Sequence, residues 1–240
     1  MPKFVLSRSK VLEKYDFVSE MCDLVSYSSK TNPLVTEILD EERECMFSIH
    51  SKNELMNVRD KEKVFFLAQG WTLEEVEELV EMGVEWFCVD NEGDLNVFMR
   101  FLKTFEGKLN LFLRFKLREH SVKTERYFVF GFGADEINKL VKSLRGHGKI
   151  LGLGVHFHRK TQNMAEWNLI EELSVLSEET LRAIDYMNIG GGLPSEYANT
   201  NVKVVETVVS KVKEFREWLK GFKVKMVIEP GRFISAPAVK

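Results

Sequence analysis

The chain has 240 residues, 44% of them hydrophobic and 30% charged, with a formal net charge of −3. That composition suits a soluble globular protein long enough for one large domain, and the small charge excludes partners that need a strongly basic surface, nucleic acid above all. No segment reaches the roughly 20 apolar residues of a membrane span, and MPKFVLSRSK at the start has no apolar run of signal-peptide length. Cys22, Cys45 and Cys88 stand too far apart for a CxxC pair, so the expected setting is cytoplasmic, with three free thiols.

In chain order, KFVLS (3–7) reads as a short strand before the first helix. Eight runs rich in β-branched and aromatic residues follow: DLVSYSSK (23–30), CMFSIHS (45–51), KVFFLAQ (63–69), VEWFCVD (84–90), KLNLFLRFK (108–116), KILGLGVHFH (149–158), IDYMNIG (184–190) and KVKMVIEP (223–230). Charged stretches with helical spacing lie between them. TLEEVEELVEMG (72–83) places Leu73, Val76, Leu79 and Val80 on one face, and ADEINKLVKSLRG (134–146) does the same with Ile137, Leu140, Val141 and Leu144. Gly83 and Gly146 stand where C-caps are expected. Phe98, Phe101 and Phe105, with the four tryptophans, read as packing. Eight alternations predict an α/β fold, a (β/α)8 TIM-type barrel over residues 1–232. FISAPAVK (233–240) reads as an extended segment beyond the eighth strand.

In such a barrel the chemistry gathers at the C-terminal ends of the strands, and the loops after strands seven and eight often bind phosphate. Lys30 closes the first run, His50 is near the end of the second, Asp90 closes the fourth, Arg114 is late in the fifth, and His156 and His158 end the sixth. Gly190, Gly191 and Gly192 follow the seventh; Glu229 ends the eighth, with Pro230, Gly231 and Arg232 behind it. These residues are expected to meet at one mouth. Period-two geometry puts Lys30 on the face of Ser26 and Ser28, and His156 and His158 on that of Gly152 and Gly154. Side chains that small leave room inside the barrel beneath the site. Taken singly, each candidate also has a plain account: Lys30 as a strand-end lysine, His156 as a packed core histidine, the glycines as a tight turn, Glu229 as a structural carboxylate, Arg114 as half of an interior ion pair, Arg232 as a surface arginine.

Together the segments carry a resemblance. YSSKTNP (27–33) is similar to the cofactor-lysine segment of the fold-type III pyridoxal 5′-phosphate (PLP) decarboxylases, usually YAVKCN or YALKAN. FSIHSKNEL (47–55) resembles that family's FDCASKTEI, LFLRFK (111–116) its LLLRI, GVHFH (154–158) its GLHFHVGS, NIGGGLP (188–194) its DIGGGFP and EPGRF (229–233) its EPGRY. The motifs keep the family's order over nearly the whole chain. The resemblance implies a barrel of the alanine racemase-like type, PLP as cofactor, an amino-acid substrate (ornithine, lysine, arginine, diaminopimelate or a related polyamine precursor) and a homodimer. It implies that the Lys30 amine forms an imine with the PLP aldehyde, which requires the unprotonated amine. Gly190, Gly191, Gly192, Gly231 and Arg232 would hold the phosphate. Glu229 would bond the pyridine nitrogen and keep it protonated, His156 would stack on the ring face, and Arg114 would lie near the ring oxygen or phosphate.

Three departures accompany the resemblance. Ser48 stands where the family has an aspartate close to the imine. After the strand-six histidine the family runs to Gly-Ser, whereas this chain has His158, Arg159 and Lys160, which either offer cationic contacts to the phosphate or crowd the pocket. Family enzymes also continue into a β-rich second domain, so 233–240 is expected to be its start and 3–7 to pair with its strands. From these departures follows a second expectation, a non-catalytic PLP-binding or regulatory barrel related to these decarboxylases.

Overall fold

The β-branched and aromatic runs form eight parallel strands: β1 (Leu24–Ser28), β2 (Met46–Ile49), β3 (Val64–Phe66), β4 (Trp86–Val89), β5 (Leu109–Arg114), β6 (Ile150–His156), β7 (Tyr186–Asn188) and β8 (Lys225–Ile228). The computed structural model describes residues 3–67, 69–117, 130–159, 167–195 and 202–240. Each strand pairs with the next in chain order, and β1 closes on β8 through Leu24 opposite Val227 and Val25 opposite Ile228. The barrel expected from the alternation is therefore closed, and every C-terminal strand end faces the same mouth.

Helices cover the outside: α1 (Arg8–Ser19), α2 (Pro33–Glu42), α3 (Leu73–Glu81), α4 (Glu92–Thr104), α5 (Ala134–Leu144), α6 (Leu169–Leu173), α7 (Glu178–Ala183) and α8 (Val202–Lys220). α3 starts at a capping box: Thr72 Oγ1 accepts from the Glu75 N–H and Glu75 Oε2 from the Thr72 N–H. Its Val76 and Leu79 are buried, as are Ile137, Val141 and Leu144 of α5. Both helices end where Gly83 (φ +98°) and Gly146 (φ +81°) turn left-handed.

The fold departs from expectation in three places. Between β2 and β3 the crossover holds two 3₁₀ turns, Lys52–Asn57 and Lys61–Lys63, instead of an α-helix. Asp60 caps the second by accepting the Glu62 N–H, and the short connection leaves little length for a helix with two loops.

Residues 233–240 are not an extended strand. Arg232–Ser235 form a short helix, α9, followed by a 3₁₀ turn over Ala236–Ala238. Phe233 and Ile234 drive this by burying themselves, Phe233 with its ring 5.9 Å from that of Phe17. The last residues then meet the first: Leu6 bridges Val239 antiparallel, and Val5 exchanges two backbone hydrogen bonds with Lys240. Segments expected to pair with strands of another domain pair with each other.

The third departure is inside the barrel. Gly152 and Gly154 do not open a space beneath the site. A Cβ at Gly154 would lie 2.5 Å from the Phe112 ring, and one at Gly152 would lie 2.7 Å from that of Tyr186. The glycines make room for aromatic rings, and Phe65–Phe112 (4.8 Å) and Trp86–Tyr186 (5.1 Å) edge contacts fill the interior.

Candidate active site

β1 ends at Ser28, and Ser29–Thr31 form one 3₁₀ turn. The buried Ser29 hydroxyl bonds Thr36 Oγ1 of α2 at 2.9 Å. Asn32 then caps α2, accepting the Leu34 N–H at 3.1 Å, with Pro33 in the first helical turn. This local chemistry stops the strand and leaves Lys30 exposed at the mouth, on a turn and not on the strand face shared by Ser26 and Ser28. The Ser28 N–H donates to the Pro230 carbonyl, joining the lysine turn to the loop after β8. That loop passes so close that a Cβ at Gly231 would strike Thr31 Oγ1.

Glu229, at the end of β8, is 4% exposed. Its Oε1 accepts from Asn188 Nδ2 at 2.9 Å, and its Oε2 lies 3.4 Å from His156 Nε2, an ion-pair distance without hydrogen-bond geometry. Burial by itself raises the carboxyl, but the facing imidazoles of His156, His158 and His50 outweigh it and bring the group down to about 2. Glu229 is therefore an anion at neutral pH.

The glycine loop follows β7. Asn188 Oδ1 accepts the Gly190 N–H at 2.8 Å, and Gly190 takes φ +64°, where a Cβ would strike the Phe157 carbonyl. The Gly191 N–H donates to His158 Nδ1 at 3.1 Å, so that nitrogen carries no proton. The His158 ring is walled by protein on most sides yet opens to solvent, and its pKa is lowered by burial and then by the cations around it, with Glu229 opposing. His50 is lowered to about 4, by burial first and Lys30 second.

Lys30, His50, His158, Gly191, Glu229 and Arg232 share one cavity of about 250 Å³. Arg232 is exposed and makes no ion pair among the described residues. Gly192 and Gly231 also line it, whereas Gly190 does not.

Other candidates lie elsewhere. His156 is 1% exposed and sits beneath the cavity against Glu229. Of the two histidines at the end of the sixth run, the one at the cavity surface is His158: β6 ends at His156, Phe157 packs into the core, and the next residue rises over the glycine loop. Arg114 is half-buried, its guanidinium 5.5 Å from the Phe130 ring; it neither lines the cavity nor forms an interior ion pair among the described residues. Arg159 does not line the cavity. It is buried, with Nη2 2.5 Å from Glu172 Oε2 and its guanidinium over Trp167. Ser48 Oγ lies 2.8 Å from Ser26 Oγ inside the barrel. Asp90 is buried and accepts from Gln69 and Asn91. Lys160 lies outside the described residues.

The family model for the pyridoxal-binding domain of pyridoxal-dependent decarboxylases matches residues 9–236. The chain belongs to that family. PLP is the cofactor for which the family's domain is named. A rice (Oryza sativa subsp. japonica) protein, a probable chloroplastic diaminopimelate decarboxylase, is 24% identical over 98% of this chain and 52% of its own length. The lysine/ornithine decarboxylase of Vibrio vulnificus, solved with cadaverine, aligns over 100% of this chain and 64% of its own at 20% identity and a TM-score of 0.78. The diaminopimelate decarboxylase of Helicobacter pylori, solved with L-lysine, aligns over 100% and 65% at 18% identity and a TM-score of 0.79. The chain thus spans about half the length of the rice relative and under two thirds of these two solved chains.

Asn188 is the site residue that sequence reasoning passed over. Two signals mark it: period two places it on the face of Tyr186, which points into the barrel, and it stands where the family pattern DIGGGFP has aspartate.

Proposed function

We propose that this chain is the cofactor-holding barrel of a PLP-dependent amino-acid decarboxylase, with Lys30 as the amine that bonds the cofactor aldehyde. The observation that carries this is the shared cavity: an amine, a buried anion, a glycine loop and an exposed guanidinium converge in one space. PLP presents an aldehyde, a basic ring nitrogen and a phosphate, and each finds a partner of the right chemistry. Glu229, anionic and held by Asn188, suits a protonated ring nitrogen. Gly191, Gly192, Gly231 and Arg232 suit a phosphate. His158, in place of His156, offers a ring face at the cavity wall. When bound, PLP supplies a protonated ring that accepts the electron pair released as CO₂ departs.

The substrate belongs to the basic amino acids or diaminopimelate, the class named for the similar proteins. Cytoplasmic residence and a homodimer belong to the same proposal; three buried free cysteines agree with the first, the family resemblance with the second. No helix among the described residues is long and apolar enough to cross a membrane.

One observation favours the alternative, a PLP-binding barrel without catalysis. Ser48, bonded to Ser26 inside the barrel, brings no carboxylate to the mouth, and a missing positioned acid or base costs roughly 10²–10⁴-fold in rate. Two measurements on the same sample separate these. A visible absorbance band on mixing with PLP is expected on either view, and its absence overturns both. CO₂ release from ornithine, lysine, arginine or meso-diaminopimelate is expected of the decarboxylase alone; none from a PLP-loaded sample favours the binding barrel.

A further inference from the structure

β2 brings no carboxylate to the mouth, because Ser48 bonds Ser26 inside the barrel. Two residues further on, His50 does reach the mouth and lines the cavity with Lys30. The chain holds this ring from behind. Glu54, in the 3₁₀ turn Lys52–Asn57, accepts the His50 backbone N–H on Oε2 at 3.3 Å and the Ser51 hydroxyl on Oε1 at 3.1 Å. Those two bonds leave Oε2 4.0 Å from His50 Nδ1. That distance is long for a hydrogen bond, as catalytic contacts often are before a ligand binds. Nδ1 is sealed from solvent and makes no hydrogen bond, yet the side chain as a whole is 30% exposed. A carboxylate on the Nδ1 side favours the tautomer with its proton there. The lone pair then belongs to Nε2, the nitrogen left to serve the cavity.

We propose that His50 is an acid–base group of this site, held by Glu54, that carries a proton between the Lys30 amine and the aldehyde oxygen it displaces. This deepens the PLP reading and rests on it. As Nζ bonds the aldehyde carbon, the nitrogen becomes positive and gives up protons readily, so a weak base suffices. One N–H bond breaks, and its proton goes to the Nε2 lone pair. His50 then returns that proton to the oxygen, which takes a second one from the nitrogen, breaks from carbon and leaves as water. The imidazole ends as it began, and release of the lysine runs the same steps backwards. The ring is neutral at the start because burial first, and then the charge of Lys30, disfavour its cation. His156 on β6 and His158 beyond it act in the same direction, and Glu229 at the end of β8 opposes them.

The test is how fast the visible band appears when protein is mixed with PLP, and how fast it fades on dilution. A proton carrier speeds both directions and leaves the equilibrium where it was. His50→Ala and His50→Gln are therefore expected to slow appearance and fading together, each roughly 10²-fold, with little change in PLP affinity. Free imidazole added to His50→Ala is expected to restore part of the rate, and more basic imidazoles to restore more. Glu54→Gln is expected to lose less of both rates than His50→Ala.

His50 variants as fast as the parent overturn the proposal. So does a weakened affinity with faster fading and no rescue by imidazole, the mark of a ring that only packs, and so does failure of both variants to fold. A parent that gives no visible band with PLP fails the PLP reading and this inference with it, an outcome distinct from a binding parent whose variants bind as fast.

Discussion

The barrel interior and its mouth are built from the same strands by opposite rules. Below the mouth, Phe65, Phe112, Trp86 and Tyr186 pack edge to face, and glycines at 152 and 154 exist to admit their rings. Two residues further along, β7 changes from Tyr186 to Asn188 and β6 from Gly154 to His156. Beyond those positions a cavity opens, lined by an amine, an anion, two imidazoles and a guanidinium. Changes to the plug should act on stability and changes at the mouth on ligand binding, with little exchange between the two.

The largest effect is expected in the plug. Phe112→Ala removes a buried ring and should lower unfolding free energy by about 3–5 kcal/mol in a urea titration, leaving PLP affinity of the folded fraction unchanged. A stability change confined to a few tenths would mean that the interior is not packed as described.

At the mouth, Arg232→Ala should weaken PLP roughly 10- to 100-fold, the loss of a charged contact, while pyridoxal, which lacks the phosphate, binds as before. Unfolding should stay within about 0.5 kcal/mol of the parent, since the side chain is exposed. Equal losses for PLP and pyridoxal would remove Arg232 from the phosphate seat.

The smallest effect is a pH slope. His50 is held to about 4 from an ordinary 6.5, so between these values the unfolded chain binds more protons than the folded one. This contribution to stability is full above about 6.5 and is lost as pH falls toward 4. Glu229, depressed to about 2 from 4.5, adds a loss at lower pH. His50→Gln should flatten the upper part of the curve, and an unchanged slope there would show that His50 does not carry it.

The strands were legible because period-two and apolar runs report directly on a sheet buried on both faces. The 3₁₀ crossover after β2 and the pairing of residues 3–7 with 238–240 were not, because both depend on the space left by other elements. Likewise, the glycines on β6 marked small side chains but not that Phe112 and Tyr186 would claim the volume. At the site, the lysine turn, the glycine loop and EPGR were legible as motifs. The choice between His156 and His158 was not: it depends on where β6 leaves the sheet, a boundary set by Phe157 entering the core.

The account stands or falls on Lys30. The protein mixed with PLP, reduced with borohydride and mapped by peptide mass should carry the label on the peptide containing Lys30. Label on another lysine, or on none, would contradict the placement of the cofactor at this mouth.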